Sequence, residues 1–473
     1  MTSALDTAAA REAVATAWDT HILPALEAFI RIPAKSPAFD PDWARSGYLD
    51  AAVALAEDWC RRVAPPDARI EVVRLPGRTP LLWVDIPGTG PGEALLYGHL
   101  DKQPEAEGWD SDKGPWTPVR EGDRLYGRGA ADDGYALFAS LQAVRLLHDQ
   151  GVAHPRCMLL IECAEESGSP DLPAYLDHLA NRLGRPGLVV CLDSGCADYE
   201  RLWVTTSLRG MAAGDLSVEV LSQGVHSGDA SGVVPSSFRI ARALLERVED
   251  AGTGRILPGE LHADIPAERQ DQAIKAADII GDQLARKFPW AGDTGPLSDD
   301  PAELILNRTW RPWLEVIGAD GLPASADAGN VLRPGTTLRL SLRLPPTVDG
   351  RAATQALGEV LTAQPPQNAQ VRFRPGGAAN GWNAPAFEGW LGDSLMAAAN
   401  DWFGEQAVFM GEGGSIPLMN LLSERFPAAR FLVTGVLGPG SNAHGPNEFL
   451  HLPMARRLTG VVAEALAAQS ANA

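Results

Sequence analysis

The sequence predicts an α/β protein in which one domain has a mixed, mostly parallel sheet and a second, α+β domain is inserted into it. Two hydrophobic patterns predict this arrangement. Short apolar runs separated by helical segments occupy both ends of the chain, and such runs are typical of buried parallel strands. Strictly alternating segments occupy the middle, as in antiparallel strands with one exposed face. The predicted divisions are 1–207 and 385–473 for the first domain and 208–384 for the inserted domain.

The first domain begins with a helical pattern over residues 1–20. LLWVDIP and EALLYGH then predict two strands between residues 81 and 99. The segment GYALFASLQAVRLLHDQG repeats its apolar residues at helical spacing and predicts a helix that ends at Gly151. CMLLIECAEE and GLVVCLDSG predict further buried strands. A helix near 386–403 and the strand FLVTGVLG resume the same pattern after the insertion.

The inserted domain shows a different pattern. GDLSVEVLSQ alternates, and a helical segment follows Pro235. In TTLRLSLRLPP every second residue is leucine, which predicts a strand with leucines on one face and Arg339 and Arg343 on the other. The helix RAATQALGEVLTAQ and the strand VRFRP follow. The Gly-, Pro- and Asp-rich segment between about 251 and 328 is expected to be an insertion, and its pattern predicts no particular form.

Composition narrows the class of protein. The chain has 473 residues, 45% hydrophobic and 21% charged, as in globular proteins with a sizeable core. Its net charge of −20 argues against nucleic acid as a partner, because phosphate binding needs clustered Lys and Arg. The sequence shows neither a secretory leader nor an apolar run of about 18 residues, so no membrane association is expected. Five cysteines without a C-x-x-C pair predict reduced, buried thiols and a cytoplasmic location.

Polar residues follow three predicted strands of the first domain, at the point where each strand ends. His99 and Asp101 end the first of these strands, Glu165 and Glu166 follow the second, and Asp193 follows the third. Ligand sites of open α/β sheets lie at the carboxyl ends of the strands. These side chains are therefore expected to share one site.

The expected site has the composition of a metal centre. Its candidate ligands are two histidines and three acids, namely His99, Asp132, Glu166, Asp193 and His444. This set suits Zn²⁺ first, with Mn²⁺ or Co²⁺ as alternatives. Five ligands exceed the needs of one tetrahedral zinc, so a bridging carboxylate between two ions is expected. Asp132 is the predicted bridge, because it lies in the glycine-flanked loop GRGAADDG before a helix.

Two further acids have candidate roles beside these ligands. Asp101 lies two residues from His99, where it could orient that imidazole. Glu165 adjoins Glu166 and could accept a proton from a water activated by the ions, then pass it to a leaving amine. The glycine-rich segments GPGEA and GEGGS lack the context of a phosphate-binding loop and are expected to form turns.

The ordered motifs resemble those of a known family. YGHLDKQP, GRGAADDG, AEESGS, LDSG, GVHSG and GEGGSIP…SNAHGPNE resemble the M20 metallopeptidases, closest to the carnosine and cytosolic non-specific dipeptidase branch, over nearly the whole chain. The resemblance implies a zinc-exopeptidase-type catalytic domain (phosphorylase/hydrolase-like) with two metal ions. It also implies a ferredoxin-like lid that forms a homodimer, and a cis peptide between Asp132 and Asp133.

The resemblance also implies roles for individual residues. His99, Asp132 and Asp193 would bind one ion, and Asp132, Glu166 and His444 the other. Asp101 would be the orienting acid and Glu165 the general base.

The resemblance also implies a catalytic role for one residue of the inserted domain and a substrate-binding role for four further residues. His226 in GVHSG would stabilise the oxyanion across the dimer, and Arg343 would bind the substrate's C-terminal carboxylate. Asn330, where relatives often have threonine, would complete that pocket with Gly414 and Ser415.

The predicted function is hydrolysis of the amide bond of dipeptides, or of similar small substrates with a free C-terminal carboxylate, by two metal ions. One alternative is an M20-type N-acyl-amino-acid deacylase, carbamoylase or carboxypeptidase. A more remote alternative is a metal-containing protein that binds small molecules without catalysis.

Overall fold

A computed structural model describes residues 5–473, and these form two compact units. The first unit comprises the residues up to Thr205 together with Ala384–Met410 and Leu421–Ala473. The second unit comprises Thr206–Asn383 and Gly411–Asn420. The sequence pattern predicts the segment Gly411–Asn420 as part of the first domain, whereas the structure places it in the second unit. Residues 1–4, where the predicted N-terminal helix was expected to begin, lie outside the described residues.

The strands are numbered in chain order. They are β1 (Arg69–Val73), β2 (Leu81–Ile86), β3 (Glu93–His99), β4 (Val119–Glu121), β5 (Arg124–Tyr126), β6 (Arg156–Glu162), β7 (Leu188–Cys191), β8 (Trp203–Leu208), β9 (Gly210–Glu219), β10 (Val225–His226), β11 (Trp313–Asp320), β12 (Val331–Leu332), β13 (Gly335–Leu344), β14 (Gln370–Ala379), β15 (Trp382–Asn383), β16 (Val408–Glu412), β17 (Arg430–Val433) and β18 (Phe449–His451).

The α-helices are numbered in the same way. They are α1 (Thr7–Ala17), α2 (Leu23–Ile30), α3 (Trp43–Ser46), α4 (Tyr48–Val63), α5 (Tyr135–Gln150), α6 (Leu172–His178), α7 (Ser227–Ala230), α8 (Ser237–Leu245), α9 (Ala267–Ile280), α10 (Gln283–Arg286), α11 (Pro301–Thr309), α12 (Gly350–Thr362), α13 (Trp390–Phe403), α14 (Pro417–Arg425) and α15 (Leu452–Ala471).

The first unit contains a sheet in the order β1-β2-β6-β3-β7-β17. From β6 to β17 neighbouring strands are parallel, whereas β1 and β2 pair antiparallel at one edge. The mixed, mostly parallel sheet is therefore confirmed. Strands β2, β3, β6 and β7 are buried almost completely, which explains their nearly continuous apolar sequences.

Helix α5 follows the loop that carries Asp132 and connects this loop to the core of the first unit. Its residues are buried nearly all round, and Gly151 ends it with φ of +66°, a backbone conformation that favours glycine. The predicted helix ending at Gly151 is thus confirmed. The helix predicted near 386–403 begins later, at Trp390, after Gly389 with φ of +79°.

The second unit contains an antiparallel sheet in the order β11-β13-β9-β14. Helix α8 follows β9 and helix α12 follows β13, which gives the strand and helix order of a ferredoxin-like fold. The leucines of β13 from Leu338 to Leu344 are buried against α8 and α12, as the alternation predicted. Strand β9 starts at Gly210 and ends at Glu219, so it lies earlier in the chain than GDLSVEVLSQ suggested.

The expected insertion has a defined structure. It contains the helices α9, α10 and α11, and also β11, an edge strand of the second unit's sheet. The interpretation of 251–328 as an insertion is therefore wrong for β11, which belongs to the sheet of the second unit. A bulge between Val316 and Gly318 interrupts the strand and removes the regular alternation that would have marked it.

All five cysteine side chains are buried, as predicted. Among the described residues, no helix combines the length and the apolar composition that crossing a membrane would need.

Candidate active site

Three neighbouring strands of the first unit bring the predicted polar residues to one edge of the sheet. His99 is the last residue of β3, Glu165 and Glu166 lie in a short 3₁₀ turn after β6, and Asp193 follows β7 by two residues. Strands β6, β3 and β7 are parallel neighbours, so their carboxyl ends meet. The prediction that these side chains come together at the strand ends agrees with the geometry.

Asp132 reaches the same edge from a tight loop. Gly127 and Gly129 adopt φ of +146° and +81°, and the chain then turns sharply through Ala130–Gly134 before α5, with non-helical backbone angles at Asp132 and Asp133. Side chains at these glycines would collide with their neighbours: a Cβ on Gly129 would lie 2.7 Å from Lys102. The peptide between Asp132 and Asp133 is cis, as the family resemblance implied.

Asp132 lies between two histidines. Its Oδ1 is 3.3 Å from Nε2 of His99, and its Oδ2 is 3.0 Å from Nε2 of His444. Nε2 of His99 is 3.7 Å from Asp193, and Nε2 of His444 is 3.3 Å from Glu166. The five side chains thus form two groups that share Asp132, and within each group the ligand atoms lie within 4.8 Å of one another.

Burial and neighbouring charges shift the pKa values of these carboxyl groups. Burial, followed by the charge of Asp132, raises the pKa of Asp193 well above its usual range and that of Glu166 to about 8. Burial also acts to raise the pKa of Asp132, but hydrogen bonds with His444 and His99 outweigh it and lower that pKa. Three carboxyl groups so close together are not all stable as anions unless cations compensate them.

The donor set fits a pair of divalent cations. Two imidazole nitrogens and three carboxylates are ligands that Zn²⁺, Mn²⁺ and Co²⁺ accept, and a carboxylate whose two oxygens face different groups is the usual bridge of a two-metal site. The ring orientation of His99 is also suitable, because Nδ1 lies 3.0 Å from the backbone oxygen of Asp101 and leaves Nε2 for a metal.

Asp101 contacts more than the histidine for which it was predicted. Its carboxylate lies 3.5 Å from Nδ1 of His99, and its two oxygens accept hydrogen bonds from the backbone N–H groups of Glu165 at 3.1 Å and Glu166 at 3.0 Å. One buried acid therefore fixes both a candidate ligand and the turn that carries the candidate base.

Glu165 is partly buried in that turn and lies outside both ligand groups. Burial, followed by the charge of Asp193, raises the pKa of its carboxyl group well above its usual range. The neighbouring ligand Glu166 accepts a hydrogen bond from Nε2 of Gln103 at 2.6 Å. Glu165 is thus an unligated carboxyl group beside the candidate metal centre, the position that a general base requires.

A buried ion pair, which sequence reasoning missed, connects the two loops that carry Asp132 and His444. Arg128 donates to Glu448 at 2.6 Å, and its other terminal nitrogen donates to the backbone oxygen of Gly445 at 2.9 Å. Glu448 also accepts backbone N–H groups of the Asp132 loop, including Gly129 at 3.0 Å. Both residues lie inside the quoted motifs GRGAADDG and SNAHGPNE, and charged residues within such glycine-rich motifs were the available signal.

In the second unit, His226 and Asn330 lie side by side. His226 pairs with Val331 between β10 and β12, and the N–H of Ser227 donates to the backbone oxygen of Asn330 at 3.0 Å. The side chain of His226 is exposed, and its Nδ1 accepts the N–H of Gly228 at 3.1 Å.

The two arginines of β13 have different surroundings. Arg339 is exposed and forms an ion pair with Asp215. Arg343 is half-buried, and its Nη1 donates to Oγ of Ser415 at 3.4 Å. Gly414 precedes this serine, and apart from its chain neighbours no described residue has an atom within 4 Å of the position a Cβ would take there. The structure thus brings Arg343, Gly414 and Ser415 together within the second unit.

The fold of the first unit and its two linked histidine–carboxylate groups define a metal-dependent hydrolase. The sequence profile described as peptidase family M20/M25/M40 matches residues 95–468. The chain belongs to this family and is an enzyme that hydrolyses peptide bonds.

Individual relatives agree with the predicted dipeptidase branch. The cysteinylglycine-S-conjugate dipeptidase of Corynebacterium striatum is 28% identical over 365 residues, which are 75% of this chain and 76% of that protein. The structure of the dipeptidase Dug1p of Saccharomyces cerevisiae aligns with a TM-score of 0.78 at 20% identity and covers 99% of each chain. An M20 metallo-carboxypeptidase from Sulfolobus solfataricus has the same TM-score of 0.78 at 20% identity and covers 95% of this chain and 99% of that one.

Proposed function

We propose that this enzyme is a dinuclear dipeptidase. The observation that carries the proposal is the position of Asp132, whose two carboxylate oxygens face His99 and His444 at 3.3 and 3.0 Å. A single carboxylate shared in this way suits two cations a few ångströms apart. The similarity to dipeptidases of two organisms supports dipeptides as the substrate class.

Each ion would have its own ligand set, with zinc as the first candidate and manganese or cobalt as alternatives. The first set is His99, Asp132 and Asp193, and the second is Asp132, Glu166 and His444. When bound, divalent ions of this kind polarise the scissile carbonyl group and lower the pKa of water.

The protein's own groups would handle the protons. Glu165 would accept a proton from the attacking water and deliver it to the leaving amine, because its carboxyl group lies beside the ligands without belonging to either set. The carboxylate of Asp101 would hold Glu165 in place by accepting the backbone N–H of Glu165, and it would keep His99 in the correct orientation.

The second unit would supply substrate recognition. Arg343 and Ser415 would bind the free C-terminal carboxylate, because a guanidinium group with a neighbouring hydroxyl is well suited to that anion. Gly414 would leave space for it, and Asn330 would complete the pocket. His226 would stabilise the oxyanion of the tetrahedral intermediate of the partner subunit.

This last role requires a homodimer formed through the second unit. The edge strand β11 supports that assembly, since Val316 and Ile317 are 46% and 63% exposed there. Unpaired edge strands with exposed apolar side chains are surfaces on which other chains pair. Five buried cysteines suit the reducing cytoplasm in which we propose that the enzyme works.

A substrate panel tests the proposal. Purified enzyme loaded in turn with Zn²⁺, Mn²⁺ and Co²⁺ is assayed with dipeptides, N-acyl amino acids, an N-carbamoyl amino acid and tripeptides of matched C-terminal residue. We expect kcat/KM to be highest for dipeptides. Preference for N-acyl or N-carbamoyl substrates would instead assign a deacylase or carbamoylase, and preference for tripeptides would assign a carboxypeptidase, whose fold is equally similar. Inactivity towards all of them with metals bound would favour a non-catalytic binding protein.

A further inference from the structure

Three arginines of the second unit contact the same loop. We use the name arginine cluster for Arg209, Arg308 and Arg343 around the loop Glu412–Ser415. Arg343 contacts the side chain of Ser415, whose hydroxyl donates to the backbone oxygen of Arg209. Arg209 in turn donates through Nε to the backbone oxygen of Gly413 at 3.1 Å, and through its backbone N–H to that of Gly414 at 3.0 Å.

The third arginine comes from the insertion. Arg308 lies in the last turn of α11 and forms an ion pair with Glu412. A Cβ on Gly413 would lie 3.1 Å from Cγ of Arg308 and 3.4 Å from Nη2 of Arg209. The absence of a side chain at Gly413 therefore leaves room for both arginines beside the loop.

The cluster holds more positive charge than its surroundings compensate. Among the described residues Glu412 is paired with Arg308, whereas neither Arg209 nor Arg343 forms an ion pair with a carboxylate. Other arginines of this unit do: Arg339 and Arg374 both pair with Asp215. The chain has 60 acidic and 40 basic residues, so a shortage of acids does not explain the difference.

The proximity of the guanidinium groups has an electrostatic cost. Burial, followed by the charges of Arg343 and Arg308, lowers the pKa of Arg209 to about 10. Burial also lowers the pKa of Arg343. Half-buried like charges of this kind are stabilised when an anion binds between them.

One substrate carboxylate does not use the whole cluster. Arg343 with Ser415 is sufficient for the C-terminal carboxylate in the proposed function, on which this inference rests. Arg209, which contacts the same loop, then remains without a carboxylate partner among the described residues. A C-terminal aspartate or glutamate carries its second carboxylate only a few bonds from the first, so one residue of the substrate can satisfy both arginines.

We infer that the arginine cluster selects dipeptides whose C-terminal residue is acidic, with Arg343 binding the main-chain carboxylate and Arg209, supported by Arg308, binding the side-chain carboxylate. Through Arg308 the insertion takes part in specificity. The discrimination is electrostatic, so it decreases as ionic strength rises.

The test compares Ala-Glu with Ala-Gln, which differ by one charge at nearly constant shape. In the wild-type enzyme we expect kcat/KM to be about tenfold higher for Ala-Glu, as for a partly desolvated charge-assisted hydrogen bond. Arg209→Met should abolish the ratio, and Arg209→Lys should restore part of it. Arg339→Met serves as the matched control, because it removes a paired arginine elsewhere in the same unit, and it should leave the ratio unchanged.

A binding measurement makes the inference independent of turnover. Calorimetric titration of metal-loaded Glu165→Gln protein with the same two dipeptides should give a Kd about tenfold lower for Ala-Glu. Equal affinities, or a ratio that survives Arg209→Met, would overturn the inference and leave the proposed function standing. The Glu165→Gln protein could bind Ala-Glu more tightly than Ala-Gln although the wild-type enzyme hydrolyses no dipeptide. That result would support the inference and refute the proposed function.

Discussion

The carboxylate of Asp101 accepts the backbone N–H of Glu165 at 3.1 Å. This contact fixes the candidate base relative to the strand that ends in His99, so an acid expected to orient only the histidine also determines where the base lies. The side chain of Asp101 is fully buried, so the position of the turn that carries the candidate base depends on one inaccessible carboxylate.

Asp101→Asn tests this coupling. In the asparagine side chain an NH2 group replaces one of the two acceptor oxygens of Asp101. This NH2 group cannot accept a hydrogen bond from a backbone N–H, so at least one of the two hydrogen bonds to the turn is lost. We expect kcat to fall roughly 10- to 100-fold, together with a measurable loss of metal affinity. Steady-state kinetics and metal titration check this, with exposed Asp110→Asn as control. Unchanged kcat with unchanged metal affinity would remove Asp101 from both roles.

Replacing Arg343 tests the proposed carboxylate contact. Arg343→Ala should raise KM for dipeptides roughly tenfold or more, with a smaller change in kcat, because binding of a group remote from the scissile bond is lost. Arg339→Ala is the matched control: the residue lies on the same strand face but pairs with Asp215. A KM that responds equally to both substitutions would place the substrate carboxylate elsewhere.

Mixing two inactive variants tests whether His226 acts in the partner subunit. Glu165→Gln and His226→Ala should each lower kcat by at least about 100-fold on their own. After subunit exchange about half of the dimers contain one subunit of each variant. One of the two sites in such a dimer has an intact Glu165 and an intact His226, so about a quarter of wild-type activity should return. Native mass spectrometry verifies the exchange. Mixed dimers that stay inactive would mean that His226 does not act across the interface.

The stability of the first unit should depend on pH through Glu464. This residue of α15 accepts a hydrogen bond from Nε1 of Trp402 at 2.7 Å, and burial raises its pKa to about 7. Between about pH 4.5 and pH 7 Glu464 is protonated in the folded chain, whereas it is ionised in the unfolded chain. The contribution of Glu464 to the free energy of unfolding therefore declines as pH rises through this range.

Glu464→Gln should remove that contribution. Relative to wild type, the free energy of unfolding of the variant should increase by on the order of 2 kcal/mol as pH is raised from 4.5 to 8. This value is reduced for the partial exposure of the side chain. Urea unfolding at several pH values, with exposed Glu388→Gln as control, measures it. A difference between variant and wild type that stays constant with pH would show that Glu464 titrates normally.

Much of this arrangement could be predicted from the sequence, because the informative patterns are local. His99 ends a short apolar run typical of a buried strand, Glu166 and Asp193 follow such runs, and parallel neighbours bring strand ends together. The leucines of β13 likewise determine which face is buried.

Pairings between distant residues could not be predicted in this way. Arg308 and Glu412 are 104 positions apart, and neither has a local pattern that indicates the other. Strand β11 has an irregular burial pattern because it lies at a sheet edge and contains a bulge, so its sequence lacks the alternation of β13. The backbone contacts of Asp101 also depend on how the turn after β6 folds back, which no residue spacing specifies.

Metal stoichiometry tests the central claim most directly, because the claim depends on Asp132 bridging two ions. Elemental analysis of active, extensively dialysed enzyme should find about two divalent ions per chain, about one in Asp193→Asn and close to none in Asp132→Asn. Activity should disappear on chelation and return with added metal. Fully active protein without divalent ions, or an Asp132→Asn variant that still binds two, would contradict the account.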